Sequence, residues 1–462
     1  MNVWRSRSCV VASALWLGAC GQSPARALNV DAGQGGSTAG TAGTAGAATS
    51  QPQAGVPGTG GAGSAGAPGG SVNASAGTDA SAGTDASAGA NAGGASPLSS
   101  LGKCSLPSGA KLSDLETAYA KWKADLVTSD GAGGFLRVRR PNSGTVNSSN
   151  SEGTAYGMEL AVYMSDQALF DALWQYEQLH LGQNGLMEWE IGPDGSTTGS
   201  GAASDGDEDM ALALVMADKK WGGAGSLKQT YQSYATQLIN LIWQHEVDPA
   251  RGYVLAPGDQ FGGGAVVNIS YFAPGSYRVF GKFTGKTSDW ERVVESSYTV
   301  LAATLNAANM NASNGLVPAW STPEGVPMAP TGSDHPTYHQ LDSCRTPFRI
   351  AQDYCWFEEP RALDYLSKIG SFYTNIQAAN IVEGYNLDGS VFPGSSLHLA
   401  AFIGGAGVGA MAVPALATLR NDSYGLLAAW GPLLGGSQYY NESWSVLSLL
   451  MMTGRFIEPT SL

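Results

Sequence analysis

The sequence predicts a mostly α-helical domain over residues 101–462, preceded by a flexible tether. Apolar residues recur every three or four positions in many segments of this region, as on the buried face of a helix, whereas the two-residue alternation of strands is scarce. Residues 21–100 consist mostly of Gly, Ala, Ser, Thr and Pro, with almost no large apolar side chain to bury. Such a segment cannot offset its conformational entropy, so we expect a disordered linker.

The first twenty residues have the pattern of an export signal. Two arginines precede an apolar run over residues 9–16, which is too short to span a bilayer. The segment Leu17-Gly18-Ala19-Cys20 resembles a bacterial lipobox, which predicts that residues 1–20 are a lipoprotein-type signal peptide and that Cys20 is lipidated. We expect an extracytoplasmic protein anchored to the outer membrane; a plain secretory signal would instead give a secreted protein.

The charge balance limits the possible partners. The chain has 24 basic and 38 acidic residues, a net charge of −14 that would repel a phosphate backbone, so nucleic acid is not expected to bind. No apolar run approaches the ~20 residues that a spanning helix needs. Contact with a membrane is therefore expected only through the lipid anchor. We also expect a monomer.

The helical segments can be placed approximately from their spacing. Ser113-Asp114-Leu115-Glu116 has the form of a capping box and predicts a helix start, with the helix running through Leu126. The same periodicity predicts helices over 226–247, 290–309, 362–378 and 443–452, and ten to twelve helices in all. Paired helices around a closed ring would suit this arrangement, although periodicity alone does not establish a ring.

The first candidate for chemistry is Glu152, which should lie in the first turn of a helix within Ser151-Glu152-Gly153-Thr154-Ala155-Tyr156-Gly157. An acid in that position can simply complement the helix dipole. The alternative is an acid in a cleft. Gly153 and Gly157 would leave open space around the carboxyl, and Tyr156 would offer a hydroxyl or a ring.

The second candidate is Asp205, within a segment that holds four acids in five residues at a predicted helix start. The spacing lacks the later ligands of a calcium-binding EF-hand, so no metal is expected. Asp205 could cap the helix. It could instead face a sugar, with Asp209 supporting it one helical turn later.

The third candidate is Asp342, in a loop that passes into a helix continuing to Trp356. Arg345 and Arg349 follow it at short spacing. An Asp beside an Arg can be a structural ion pair, so this segment alone does not establish a site.

Together with Gly185-Leu186-Met187-Glu188-Trp189 and the segment 268–274, these three motifs resemble glycoside hydrolase family 8 over residues 105–458. The resemblance implies an all-α (α/α)6 barrel, no cofactor, and inverting hydrolysis of β-1,4-glycosidic bonds in a polysaccharide substrate. It implies that Glu152 is the general acid and Asp342 the general base, and that Asp205 holds the distorted sugar. Inversion requires about 6.5–9.5 Å between acid and base so that a water molecule fits.

Aromatic and basic residues complete the candidate substrate-binding set. Trp189 and the pair Tyr439–Tyr440, predicted to precede the final helix, could stack on sugar rings, although core packing is the ordinary role of such residues. The remaining candidates are Tyr156, Tyr271 and Arg345.

Two positions depart from the family pattern. Leu341 stands where an aromatic residue is usual and Ile269 where proline is common, which puts the sugar contacts near the base in doubt. Chitosan-cleaving members of the family tend to lack the aspartate at this point, so the resemblance implies that Asp342 favours a neutral glucan or xylan, with little activity on chitosan. We expect cellulose or a mixed-linkage β-glucan ahead of xylan.

Other function classes remain as alternatives. An endo-1,4-β-xylanase or chitosanase of the same family is the nearest one. A glycan-binding lipoprotein without turnover would keep the cleft, and a lyase or epimerase would need a basic cluster or a histidine pair in it.

Cysteine and histidine give mainly structural expectations. Cys344 and Cys355 lie eleven residues apart on one predicted helical run, too far for a disulfide, so we expect Cys104, Cys344 and Cys355 to be buried free thiols. His335 and His339 flank a proline and lack the pattern of a zinc helix. They are expected in a loop that lines the cleft.

Overall fold

The computed structural model describes residues 101–260, 265–330, 337–429 and 436–462. The predicted signal peptide, Cys20, the linker and His335 lie outside these described residues. Within them the chain forms α-helices joined by loops: α1 Leu112–Leu126, α2 Ser151–Tyr163, α3 Gln167–Glu177, α4 Ser204–Lys220, α5 Tyr231–His245, α6 Pro274–Thr284, α7 Thr287–Thr304, α8 Thr346–Phe357, α9 Pro360–Ile376, α10 Ala400–Gly409, α11 Ala417–Ala429 and α12 Gln438–Met452.

Six alternate helices form a closed inner ring. Helices α2, α4, α6, α8, α10 and α12 contact one another in that order, and α12 contacts α2 to close the ring. The other helices pack outside it: α3 on α2, α5 on α4, α7 on α6, α9 on α8, α11 on α10 and α1 on α12. This is the (α/α)6 barrel that the sequence resemblance implied.

The burial of each helix explains its layer. Every residue of α2 and of α10 is buried, as expected for helices enclosed on all sides. The outer helix α9 buries one stripe at three- and four-residue spacing, which includes Tyr365, Ile369 and Tyr373. The hydrophobic core therefore lies between the two rings.

Short antiparallel strands decorate the loops: β1 Val127–Thr128, β2 Arg137–Val138, β3 Ser149–Asn150, β4 Glu190–Ile191, β5 Thr197–Gly199, β6 Val247–Asp248, β7 Val254–Leu255, β8 Val267–Asn268 and β9 Trp320–Ser321. They pair as β1–β2, β3–β4–β5, β6–β7 and β8–β9. The β3–β4 pairing sets Asn150 opposite Glu190 and fixes the chain just before α2.

Some predicted helix boundaries differ from the observed ones. Helix α1 begins at Leu112 after an extended Lys111, and the structure shows no side-chain cap there, so the capping box at Ser113 is wrong. Helix α5 begins five residues later than predicted, at Tyr231, because the Thr230 side chain caps it by accepting from the backbone N–H of Ser233. Helix α12 begins at Gln438, so Tyr439 and Tyr440 lie in its first turn and not before it.

A disulfide joins Cys104 to Cys355, with the two Cα atoms 5.2 Å apart. The expectation of free thiols is therefore wrong for this pair. The two cysteines are 251 residues apart, and only the closure of the barrel brings the segment before α1 to α8. Cys344 is a buried free thiol, as predicted.

His339 is fully buried, so the expectation that it lines the cleft is wrong. Its ring nitrogens lie 3.0 Å from the Val317 carbonyl and 3.0 Å from the Tyr373 hydroxyl. Burial lowers the pKa of His339 to about 4. Among the described residues, the helices are all too short or too polar to cross a membrane.

Candidate active site

The candidate acids lie at the N-terminal ends of inner helices. Glu152 and Asp205 are each the second residue of their helix, α2 and α4, and Asp342 precedes the 3-10 turn Ser343–Arg345 that leads into α8. Helix N-termini carry a partial positive charge that favours carboxylates. The fold therefore brings the three acids to one end of the barrel.

Arg345 connects all three acids. Its Nη1 lies 2.5 Å from Glu152 Oε2 and 2.8 Å from Asp205 Oδ2, and its Nη2 lies 3.1 Å from Asp342 Oδ1. The guanidinium is fully buried, and the three carboxylates are only 2–4 % exposed. Planar guanidinium geometry suits several carboxylates at once, since it presents five N–H donors.

Two further groups orient Arg345. Its Nε donates to the Ser270 hydroxyl at 3.1 Å, and its Cζ lies 5.1 Å from the centre of the Tyr271 ring. Both residues belong to the segment 268–274, which the family resemblance grouped with the three motifs. Tyr271 therefore contacts Arg345, the residue that joins the three carboxylates.

The surroundings of Asp205 change its chemistry. Its Oδ1 accepts from the backbone N–H of Gly206 at 2.9 Å. Burial raises the pKa of Asp205 to about 7; Arg345 opposes this rise and the charge of Glu152 adds to it. Near neutral pH this carboxyl can thus both accept and donate hydrogen bonds.

Gly206 explains how α2 and α4 approach so closely. A Cβ at this position would lie 2.8 Å from the Ser151 hydroxyl oxygen and 2.9 Å from the Ser151 carbonyl carbon. The small residue beside Asp205 therefore lets the two helix starts touch, and the carboxyls of Glu152 and Asp205 reach the same Arg345 nitrogen.

Glu152 is held from a second side by Tyr439. The Tyr439 hydroxyl donates to Glu152 Oε1 at 2.7 Å. The predicted open space around Glu152 is wrong: a Cβ at Gly153 would lie 2.9 Å from Tyr439 Cε2, and one at Gly157 would lie 2.7 Å from Leu173 Cδ1. These glycines allow close packing around α2.

Asp342 is held by Gln340 as well as by Arg345. Gln340 Nε2 donates to Asp342 Oδ2 at 3.1 Å, and the backbone N–H of Asp342 donates to Gln340 Oε1 at 3.1 Å. Each oxygen of Asp342 therefore accepts from a different side chain.

A second ion-pair layer lies one turn below. Arg349 donates from its two terminal nitrogens to the two oxygens of Asp209 at 2.6 and 2.8 Å, and its Nη1 lies 3.3 Å from Glu208. The predicted support of Asp205 by Asp209 is thus indirect. Asp209 holds Arg349, and both influence Asp205 through charge.

The aromatic side chains predicted to bind sugar are almost completely buried, whereas stacking on a sugar ring requires an exposed aromatic face. Tyr439 is fully buried, so its ring offers no free face, and its hydroxyl contacts Glu152 instead.

The other aromatic candidates are also buried. Tyr440 donates to the Leu341 carbonyl at 2.7 Å and so fixes the loop before Asp342. Tyr156 packs edge-on against Trp444, with ring centres 5.5 Å apart. Trp189 is 5 % exposed.

Trp189 adjoins the site through its backbone, and its ring packs against Gly199. Its carbonyl accepts from the N–H of Ser151 at 3.0 Å, at the start of α2. Its ring lies so close to Gly199 that a Cβ there would be 2.3 Å from Trp189 Cε2. The structure thus places Trp189 directly beside the segment that carries Glu152.

Gln340, Ser270 and the contact of Tyr439 with Glu152 were not predicted from the sequence. Neutral hydrogen-bonding side chains give no spacing signal, and the partners of these three lie between 2 and 287 residues away. In the described parts of the chain, His, Cys, Asp and Glu side chains form no group of three or more placed to hold a metal ion.

Comparisons with known proteins identify the family of this chain. The family model for Glycosyl hydrolases family 8 matches residues 104–454. Endoglucanase A of Acetivibrio thermocellus is 38% identical over 351 residues, which cover 75% of this chain and 70% of that protein. Endoglucanase 2 of Ruminiclostridium josui is 39% identical over 345 residues, covering 74% and 71%.

A solved structure is also similar. The apo structure of a β-1,3-1,4-glucanase from Paenibacillus sp. X4 matches with a TM-score of 0.69 and 26% identity, covering 77% of this chain and 96% of that one. The match of the family model to most of the helical domain, and the identity to two endoglucanases over most of their length, establish the relationship. The chain belongs to glycoside hydrolase family 8 and is a glycoside hydrolase.

Proposed function

We propose that this protein is an inverting endo-hydrolase of β-1,4-glycosidic bonds in a neutral β-glucan. The observation that carries the proposal is the convergence of Glu152, Asp205 and Asp342 on one buried arginine. Binding of a glycan alone does not require three carboxyls drawn together from helices far apart in the chain. Relatives named endoglucanase and β-1,3-1,4-glucanase support a glucan as substrate.

Glu152 is the proposed general acid. A protonated carboxyl keeps one acceptor oxygen and one donor hydroxyl. Oε1 can continue to accept from Tyr439 while Oε2 carries the proton toward the glycosidic oxygen. Oε2 has two lone pairs, so one can accept from Arg345 while the other carries the proton.

Asp342 is the proposed general base. Its two oxygens each accept one hydrogen bond, and each retains lone-pair capacity for an attacking water. In an inverting reaction that water adds to the sugar carbon from the face opposite the leaving oxygen. Asp205, with its pKa raised to about 7, would hold a sugar hydroxyl between acid and base.

The balance of charges in the site favours an uncharged polysaccharide as substrate. Two arginines face at least five carboxyls, since Arg345 contacts Glu152, Asp205 and Asp342 while Arg349 contacts Glu208 and Asp209. No positive charge in this cluster is left over for a uronate. This disfavours the lyase alternative and leaves xylan as the second candidate substrate.

Substrate and acid can be tested together. Reducing ends released from carboxymethyl cellulose, lichenan, xylan and chitosan are measured for the full-length protein and for Glu152→Gln. We expect activity on a glucan that is lost in the variant. Activity highest on xylan would favour the xylanase alternative, and binding without hydrolysis on any polymer would favour the glycan-binding alternative.

We also propose that the protein is exported and anchored by a lipid on Cys20. The Cys104–Cys355 disulfide supports an oxidising compartment, because disulfides persist mainly outside the cytoplasm. Fatty-acid labelling and membrane fractionation of Cys20→Ala test the anchor. If the variant keeps its label and membrane association, the lipoprotein proposal is wrong.

A further inference from the structure

Gln340 makes a closed pair of hydrogen bonds with Asp342. The side-chain oxygen of Gln340 accepts from the backbone N–H of Asp342, and its nitrogen donates to the Asp342 carboxylate, both at 3.1 Å. A backbone N–H can only donate and a carboxylate can only accept. The orientation of the Gln340 amide is therefore fixed by its partners, since the flipped amide would oppose donor to donor and acceptor to acceptor.

The backbone of Gln340 is anchored in the same turn. Its N–H donates to the Ser343 hydroxyl at 3.3 Å, and its carbonyl accepts from the N–H of Cys344 at 3.1 Å. Residues 340–345 thus form one hydrogen-bonded unit that carries both Asp342 and Arg345. Gln340 cannot move without disturbing this unit.

The two donors act on different oxygens of the same carboxylate. Gln340 donates to Oδ2 and Arg345 donates to Oδ1. Together these two contacts fix the rotation of the Asp342 carboxylate about its Cβ–Cγ bond. A base that aims a lone pair at a water molecule depends on this rotation, because small misplacements of a catalytic group are costly in rate.

We propose that Gln340 is a positioning residue for the general base, aiming the Asp342 carboxylate at the attacking water. The inference rests on the function proposed for Asp342. The ionisable groups that face Asp342 are Arg345 and Cys344 on its own segment, with Glu152 and Asp205 across the guanidinium. Unlike these ionisable groups, Gln340 donates a hydrogen bond to Asp342 without adding a charge.

Two variants separate positioning from folding. Gln340→Leu keeps the approximate size but removes both hydrogen bonds; we expect kcat to fall about 10- to 100-fold with KM changed less than about twofold. Gln340→Glu keeps the acceptor for the Asp342 N–H but sets a second carboxyl against Oδ2. Because two adjacent carboxyls share a proton, the acid limb of the kcat–pH profile should move up by about one pH unit or more.

Gln175→Glu is the matched control, because Gln175 lies on the outer helix α3 and bonds to Ser226. It should leave both kcat and the pH profile unchanged. If Gln340→Leu raises KM without lowering kcat, or if Gln340→Glu leaves the acid limb in place, the positioning role is wrong.

A measurement without substrate distinguishes this proposal from the proposed function. Carbon-13 NMR follows the titration of the Asp342 carboxyl in the full chain, assigned with Asp342→Asn. We expect the titration midpoint to rise in Gln340→Glu and not in Gln175→Glu. If the Asp342 midpoint rises but the protein hydrolyses no glycan, the proposed function is wrong and the contact between Gln340 and Asp342 stands. If the midpoint is unchanged in Gln340→Glu, the contact itself is wrong.

Discussion

The hydroxyl of Tyr439 donates a 2.7 Å hydrogen bond to Glu152, although the two residues are 287 positions apart in the chain. Glu152 lies at the start of α2, the first inner helix, and Tyr439 at the start of α12, the last one. The contact between α2 and α12 closes the ring. The proposed acid therefore lies where the barrel closes, and its geometry depends on that closure.

Replacing Tyr439 with Phe removes this hydrogen bond and keeps the ring. Hydrogen bonds to charged groups contribute about 1.5–3 kcal/mol, so we expect kcat to fall roughly 10- to 100-fold on the preferred glucan, with little change in KM. Steady-state kinetics measure both. A large rise in KM at constant kcat would instead support the sugar-stacking role predicted from the sequence.

Replacing Arg345 with Lys tests the centre of the site. A lysine is a single point charge and cannot reproduce the planar fork that joins Glu152, Asp205 and Asp342. Three buried carboxyls would then lose part of their compensation, and breaking a buried pair typically costs about 3–5 kcal/mol. We expect a reduced free energy of unfolding in urea and nearly complete loss of activity. Wild-type stability in Arg345→Lys would contradict the role given to this residue.

The carboxyls of Asp207 and Glu246 form a buried pair behind the site. Both are almost completely buried, and burial is the main cause that raises the pKa of each well above its usual value. The charge of Asp207 raises the pKa of Glu246 further, so the folded protein favours a proton on this pair.

This pair predicts a loss of stability at higher pH. Above the unfolded-state pKa of about 4, the unfolded chain releases a proton that the folded chain retains, so the free energy of unfolding falls as pH rises toward the raised folded pKa. Glu246→Gln should flatten this decline in urea unfolding measured between about pH 5 and about pH 9. The exposed Glu116→Gln is the control. Equal slopes for wild type and Glu246→Gln would show that the folded pair does not retain this proton.

The disulfide should stabilise the barrel. It joins residues 251 positions apart, and removing a native disulfide typically costs about 2–5 kcal/mol. Urea unfolding of Cys104→Ala, Cys355→Ala and the double variant should show the same loss in all three. A double variant with twice the loss would show that side-chain packing, not the covalent bond, is responsible.

Several site features could be predicted from the sequence because they occur in short motifs. Glu152, Asp205 and Asp342 each lie beside residues that mark a helix start, and the order of the motifs matches the family. The alternation of helices and loops also follows from local periodicity. These features depend on neighbours a few residues apart.

The remaining features depend on contacts across the barrel. Cys104 meets Cys355, and Tyr439 meets Glu152, only after the ring has closed. Gly153 looked like a source of open space, but the Tyr439 ring fills that space. His339 was expected to line the cleft, yet its ring hydrogen-bonds within the core. Sequence spacing carries no information about such partners.

The stereochemistry of the first product tests the acid–base assignment most directly. Proton NMR of the anomeric signals, recorded immediately after the full-length protein is added to lichenan, shows which anomer is released before mutarotation. Inversion at a β-linkage, with Asp342 activating water opposite Glu152, predicts that the α-anomer appears first. Initial release of the β-anomer would show retention and contradict the roles assigned to Glu152 and Asp342.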